Sequence, residues 1–531
     1  MEKRANAKDL MSRFSKAEGG KQAFYSIYKR CYELSAPNAN NVDKGSNFGN
    51  TIQPDVYDST VSRAADSFVN TFVTTIFPPQ TRWMELEPSE EVIRDISEVN
   101  QIDPDDVKEQ LTAAYQEITD KFFDALNQSN FYSVIDQFSH DVFIGTGCLL
   151  SQRSNDLFDS ASPLDFAAIA PMDIAVELAP NQKITGVFRK QSVRYSQIKY
   201  MWPEFDYSII TEKPSGSDDD FEKDFVEACV LEPSYKVMPN GEEHLFRWRY
   251  VVMCGNKIGY EAPYKSNPFI TFFWSLLQGE NVGRGLMTKL LPDANELQAL
   301  VRLKSKWLQM HGLGMHSVVP SKMFNASTAK IRPNAVLMVK EQGAIQSIQP
   351  AGNPQVQQMG VEELRMAIKE TALDFTIPSD PNMTATQVNY IAQRQLQIFA
   401  GVVGRIQFQL LWPIVQNCLD ILIESGFISL PMGLDKISPY TTKLKILSPV
   451  GRVQNLNDLN ATMNALGNIA QINPELIQDY VRTEDLPTWI FGQTGSPAKL
   501  LRSKEETEAI QQQKAQQQAA MMQMEMQKGQ Q

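Results

Sequence analysis

Gly279, Gly283 and Gly285 lie in "LLQGENVGRGLMTKLL", just ahead of a helical stretch. Glycines there can let backbone amides close around a phosphate at a helix N-terminus. The spacing fails that chemistry. A phosphate loop written G-x-x-x-x-G-K-[ST] sets a lysine and a hydroxyl on the phosphates and Mg²⁺, whereas Gly285 is followed by Leu286, Met287 and Thr288, with Lys289 four residues on. A dinucleotide fingerprint fails too, because Thr288 stands where the third glycine belongs. The glycines then read as a hinge, Gly283 and Gly285, that swings the chain from sheet to helix. His311 and His316 are five apart, without the i, i+4 pair or the glutamate of a zinc protease. The five cysteines are odd in number, far apart and without a C-x-x-C pair, which suggests neither a disulfide framework nor a zinc site and fits a reducing compartment. No G-x-S-x-G elbow occurs, and the carboxylates from Asp103 to Glu109 suit a charged helix start. No catalytic residue, metal or cofactor is expected.

The helix after the glycines is more informative. It is expected from Pro292, whose missing donor costs nothing in a first turn, to His311, a rise of about 30 Å. Arg302 and Lys306 share a face, and Lys304 lies near the apolar stripe of Leu297, Val301 and Leu308. Two readings stay open: a solvated basic face, or a stripe buried by neighbouring subunits while the cations meet DNA. Fifty Lys plus Arg against sixty-two Asp plus Glu give a net charge of −12. That balance opposes tight wrapping of nucleic acid by the whole surface and leaves room only for local contact.

The elements that position these residues follow from periodicity. With 42% hydrophobic and 21% charged residues, the composition is globular, and the length suits roughly two to four domains. No secretory signal and no membrane span are expected, since no uninterrupted apolar run approaches about 18 residues. Helical spacing predicts helices from Glu18 to Ser35, from Ser59 to Phe77 (Val61, Ala65, Phe68, Phe72, Ile76), from Pro104 to Asn127 and from Tyr132 to Phe143. Extended stretches are expected at "RWMELEP", "GTGCLLSQR" and "TKLKILSP". A hairpin is expected between Phe166 and Val193, and a meander with turns at Pro239-Asn240-Gly241 and Gly255-Asn256. An extended region from Val318 to Ile348 precedes a helix from Pro354 to Phe375. The fold class is α+β, mainly helical.

The strongest single element is a long helix opened by the capping box Thr384-Ala-Thr-Gln387 and running to about Gly426. Pro413 lies inside it and should kink it, by removing a donor and clashing with the carbonyl four residues back. Residues 455–479 read as mostly helical. The Gln, Ala, Met and Glu-rich tail forms helix readily and makes little core alone, so it is either disordered or ordered beside copies of itself.

Three passages, "FVNTFVTTIFPPQTRWMEL", "NVGRGLMTKLLPDANELQALVRLKSK" and "MTATQVNYIAQRQLQIFAGVVGRIQFQLLWPIV", in this order and with the Gln/Met-rich C-terminus, resemble the head-to-tail connector, or portal, proteins of short-tailed double-stranded DNA phages (podovirus type). The resemblance implies a non-enzymatic ring, typically a dodecamer, at one capsid vertex of the virion, assembled in the host cytoplasm. DNA is packaged and ejected through it, and a separate terminase motor hydrolyses ATP. By position it implies a wing over residues 1–282, a first stem helix over 283–311, a clip over 312–353 and a second stem helix over 354–375. A tunnel loop follows over 376–383, then the kinked wing helix and a strand over 384–450, a crown over 451–505 and a helical barrel or tail over 506–531. The tunnel loop would be Thr376, Ile377, Pro378, Ser379, Asp380, Pro381, Asn382 and Met383. Lys322, Lys330 and Arg332 of the clip would dock terminase or tail proteins, and Arg302, Lys304 and Lys306 would line the DNA channel. Expected partners are further copies of the chain, passing DNA, terminase, tail adaptor and nozzle proteins, and the major capsid and scaffolding proteins. Two rivals are a nucleotide-dependent packaging enzyme built around Gly279 to Gly285 and an internal virion scaffold protein.

Overall fold

A computed structural model describes residues 4–37, 56–154, 162–210, 222–237, 243–313, 315–318, 345–348, 354–373, 401–402, 404–430, 441–448, 459, 461–469, 471, 486 and 489–490.

Helix α1 (Ala7–Gln22) begins eleven residues before the expected start at Glu18, because Asn6 and Asp9 form a reciprocal capping box that satisfies two orphan amides. It lays Leu10, Phe14 and Ala17 on one face of a sheet, and Lys21 at its end donates to the carbonyls of Met172 and Ile174 at 2.5 and 2.9 Å. Helix α2 (Tyr25–Ser35) follows. Helix α3 (Thr60–Ile76) buries its whole predicted stripe, Val61, Ala65, Phe68, Phe72 and Ile76. Strand β1 (Met84–Pro88) leads into α4 (Glu90–Asn100), a helix the periodicity did not announce. Its signal was the Ser89 cap, which accepts from the Val92 amide, with Glu90 and Glu91 in the first turn. Helices α5 (Pro104–Asn127) and α6 (Phe131–Ile144) match their expected bounds closely.

Strand β2 (Thr146–Arg153) pairs with β3 (Leu164–Ile169) on one side and β9 (Phe269–Phe273) on the other. The expected hairpin between Phe166 and Val193 is narrower than the passage suggested: β4 (Ile174–Leu178) and β5 (Ile184–Arg194) form it, while β3 belongs to β2. After α7 (Tyr195–Met201), the meander of β6 (Glu222–Val237), β7 (Glu243–Cys254) and β8 (Lys257–Tyr264) completes an antiparallel sheet in the order β4-β5-β6-β7-β8. Gly255, at φ +59°, supplies the left-handed residue of the β7–β8 turn.

The chain then enters α8 (Leu286–Leu313), an antiparallel ribbon of β10 (Met315–Val318) and β11 (Ile345–Ile348), and α9 (Pro354–Thr371), which packs on α8. Helix α10 (Gly404–Glu424) is long and apolar enough to cross a membrane by length and composition, yet 56% of that window is buried inside this fold. Strand β12 (Thr442–Ile446) returns to pair with β1, so "RWMELEP" and "TKLKILSP", more than 350 residues apart, form one ladder. The largest core joins α2, α3, α5 and α6 to α10 and to the near ends of α8 and α9.

Candidate functional site

The α8–α9 pair carries the candidate site, and its root explains how it is held. Leu286, Met287, Leu290, Ala294 and Leu297 of α8 are buried in the main core, together with Val361, Ile368, Ala372 and Leu373 at the other helix. Helix α8 starts at Leu286, six residues before the expected start, so Pro292 sits inside it. Pro292 offers no amide to the carbonyl of Thr288, and the Thr288 hydroxyl bonds back to the Gly285 carbonyl at 2.8 Å.

The glycines ahead of α8 have a different role from the expected hinge. Neither Gly283 nor Gly285 takes a positive φ; among this trio only Gly279 does, at +84°. Both lie in a close backbone crossing. A Cβ on Gly283 would drive into the carbonyl oxygen of Gly145, and one on Gly285 into that of Phe143. The crossing is pinned on several sides: the Gly285 amide donates to Ile144 O at 3.0 Å, Arg284 N to Ser275 O at 2.7 Å, and Gly283 N to the Thr146 hydroxyl at 2.8 Å. The Tyr28 hydroxyl donates to the Gly283 carbonyl. Bonded and buried on this scale, the stretch fixes α8 instead of letting it swing. The nucleotide-loop rival loses its cradle for the same reason: these amides are already spent, and Glu280 pairs with Arg284 at 2.6 Å, leaving a carboxylate beside the loop.

Beneath the crossing, Tyr32 donates to Asp141 Oδ1 at 2.5 Å. Burial pushes the Asp141 carboxyl up to about 8, against a smaller opposing pull from the Tyr32 bond. Its Oδ2 has no partner among the described residues, a smaller penalty for a neutral carboxyl than for a carboxylate. Burial likewise pushes the Cys31 thiol up to about 12, so this thiol is inert packing.

A second fastening comes from the strap before α3. Gln298 of α8 accepts from the Tyr57 and Asp58 amides at 2.6 and 2.9 Å and donates to the Asp58 carbonyl at 2.9 Å. Arg365 of α9 donates to Asp58 Oδ2 through Nε and Nη2, at 3.2 and 2.7 Å. Burial would raise the Asp58 carboxyl, but the Thr60 and Arg365 hydrogen bonds outweigh it and hold it below its usual value. One short strap thus grips both helices. Sequence reasoning missed it, since Asp58 and its two partners lie 240 and 307 residues apart. It also missed Gly145, the other half of the glycine crossing.

Beyond Val301, which still packs on the core, the helix leaves it. Arg302 and Lys306 are exposed and Lys304 is half-buried, as the stripe argument required. Arg302 places its guanidinium 5.5 Å from the Tyr57 ring centroid, a cation–π contact that returns it toward the strap. Leu308 of the apolar stripe is exposed in the single chain, because α8 has outrun the core by that point. Lys322, Lys330 and Arg332, the tunnel residues Thr376 to Met383, and the capping box at Thr384 lie outside the described residues.

Pro413 acts on α10 as a wide turn just before it. Residues Gln407–Leu411 form a π turn, and the Trp412 amide reaches back five residues to the Gln407 carbonyl. Pro413 cannot complete the ordinary ladder there, and a π turn absorbs the mismatch.

Residues 7–501 match the family model described as bacteriophage head to tail connecting protein. Two solved structures align with the chain. One, from the virion of a native gene transfer agent (GTA) particle, is 10% identical with a TM-score of 0.33, over 83% of this chain and 89% of that one. The other, from the neck of an empty GTA particle computed with C6 symmetry, is 11% identical with a TM-score of 0.29, over 77% and 87%. No curated protein matches the sequence.

Proposed function

The chain belongs to the family of bacteriophage head to tail connecting proteins, and from that premise we propose that it is a portal of the podovirus type. Copies form a ring, of twelve as the resemblance implies, at one vertex of the capsid. DNA enters and leaves through its channel. The family match along nearly the whole chain carries this reading. The α8–α9 pair supports it: both helices are rooted in the core by one end, and the far ends project with a terminal β10–β11 ribbon.

In this reading the core with its sheets is the wing, α8 and α9 are the stem, and the ribbon is the base of the clip. Lys322, Lys330 and Arg332 of the clip engage terminase during packaging and tail adaptor and nozzle proteins afterwards. Thr376 to Met383 form the tunnel loop, α10 ends the wing, residues 451–505 form the crown and 506–531 a barrel or tail. Lys304 lines the channel, where a few cations on an otherwise acidic chain guide a polyanion without holding it. Arg302 and Lys306 flank that path. The test is direct imaging of the purified full-length chain with native mass spectrometry. Closed rings around an open channel are expected, and a chain that stays monomeric across salt and concentration overturns the proposal.

A further inference from the structure

Helices α8 and α9 each carry an exposed line that no described residue covers. On α9 the line is Met359, Glu363, Met366 and Glu370, spaced four, three and four, so at about 100° per residue they fall within one narrow sector. That sector points away from Val361 and Ile368, which are buried, and Met359 and Met366 are 72% and 67% exposed. On α8, Leu303 and Lys306 occupy the corresponding sector opposite Leu297, and Leu303 is 56% exposed. The two lines differ in sign. The stretch of α8 from Leu297 to Leu313 contains Arg302, Lys304 and Lys306 and no carboxylate, whereas the α9 line alternates methionine with glutamate.

Height matches as well as charge. Gln298 and Arg365 grip the same residue, Asp58, and so mark a common level on the two helices. Helix α8 runs outward from that level and α9 runs back to it. Leu303, five residues beyond Gln298, and Met359, six before Arg365, therefore stand about equally far out, at roughly 1.5 Å per residue. Lys306 stands about 9 Å farther out than Glu363, a gap narrowed because each long side chain leans toward its own helix N-terminus and so toward the other.

We infer that the Leu303–Lys306 line of α8 packs against the Met359–Glu370 line of α9 in a second copy of this chain, with leucine on methionine and lysine beside glutamate. The inference rests on the ring reading and specifies its contact. A basic line meeting an acidic line is heterologous: each copy uses one surface toward each neighbour, the arrangement that generates a ring when the rotation closes. It also divides the cations of α8. Lys306 serves the neighbour and Arg302 the Tyr57 strap, while Lys304, half-buried and about 200° round the helix from each of them, stands on the side of Leu297.

The test uses the full-length chain. Lys306→Glu and Glu363→Lys each place like charges across every contact, and each is expected to raise the concentration needed for assembly by at least about tenfold. The double variant restores the pairing with reversed sign and should assemble near the wild-type concentration. Unchanged thermal midpoints of the unassembled variants separate this from misfolding. Independently, co-expressing Leu303→Cys with Met359→Cys should give a disulfide-linked dimer absent when either is expressed alone. Rings that form with both reversals unimpaired, or with a double variant no better than the worse single one, or without the dimer, overturn the contact and leave the ring reading standing. A wild-type chain that never forms rings overturns the ring reading itself.

Discussion

From Leu286 to Leu297, α8 buries Leu286, Met287, Leu290, Ala294 and Leu297 in the main core, whereas six residues later the same helix leaves Leu303 standing out, with Leu308 beyond it. Helix α9 shows a contrast across its width instead, with Val361 and Ile368 buried on one side and Met359 and Met366 bare on the other. The rooted half is shaped by its own chain, through glycine contacts and the Asp58 strap. The projecting half keeps helical sequence and apolar side chains, but among the described residues Leu303 and Leu308 are left exposed. Stability of the single chain therefore resides in the first half, and the chemistry of association in the second.

The sharpest way to break this contrast is Gly283→Ala. The new methyl meets the backbone of Gly145, so we expect a loss above about 4 kcal/mol in denaturant titrations, or no soluble protein. A wild-type midpoint would mean the crossing is looser than described. Leu297→Ala removes a fully buried side chain and should cost about 3 kcal/mol. Arg365→Ala leaves the Asp58 carboxylate buried without its cation and should cost about 2 kcal/mol near neutral pH. Because the folded Asp58 pKa is depressed, that difference should shrink as pH falls below its unfolded value of about 3.8 and through the folded value.

Asp141→Asn tests the opposite sign. Its folded pKa is raised, so the native state holds a proton that the unfolded state releases, and wild-type stability should decline as pH climbs from about 4 to about 8. The asparagine variant should flatten that slope, and an unchanged pH profile would argue that Asp141 is ionised in the fold. Smallest of all, Leu303→Ala should leave the unfolding of the single chain within about 0.5 kcal/mol of wild type, since the residue is already 56% exposed. A large loss would erase the distinction between the two halves.

The same contrast explains which parts were legible in the sequence. The stripe of α3, the bounds of α5 and the Gly255-Asn256 turn could be read because their causes lie within a few residues of one another. The start of α1 is not legible from apolar spacing, although its Asn6–Asp9 capping box is local. Pro413 marked the place of a distortion but not its form. The spacing of Gly283 and Gly285 marks them out, yet their reason lies at Gly145 and Phe143, which no nearby residue announces. The Asp58 strap was invisible for the same physical reason. Leu308 continues the apolar stripe and is exposed in the single chain, because periodicity reports which way a side chain points and not whether anything is there to cover it.

The π turn in α10 has one consequence in terms of rotation. Ile406 and Cys418 are both buried, yet twelve residues of ordinary α-helix would turn them about 120° apart. One π turn takes up a single extra residue, about 100° of azimuth, and brings the two back into phase. Pro413 and the wide turn before it thus act as a vernier, letting one continuous helix keep the same bearing toward the core on both sides of a missing hydrogen bond.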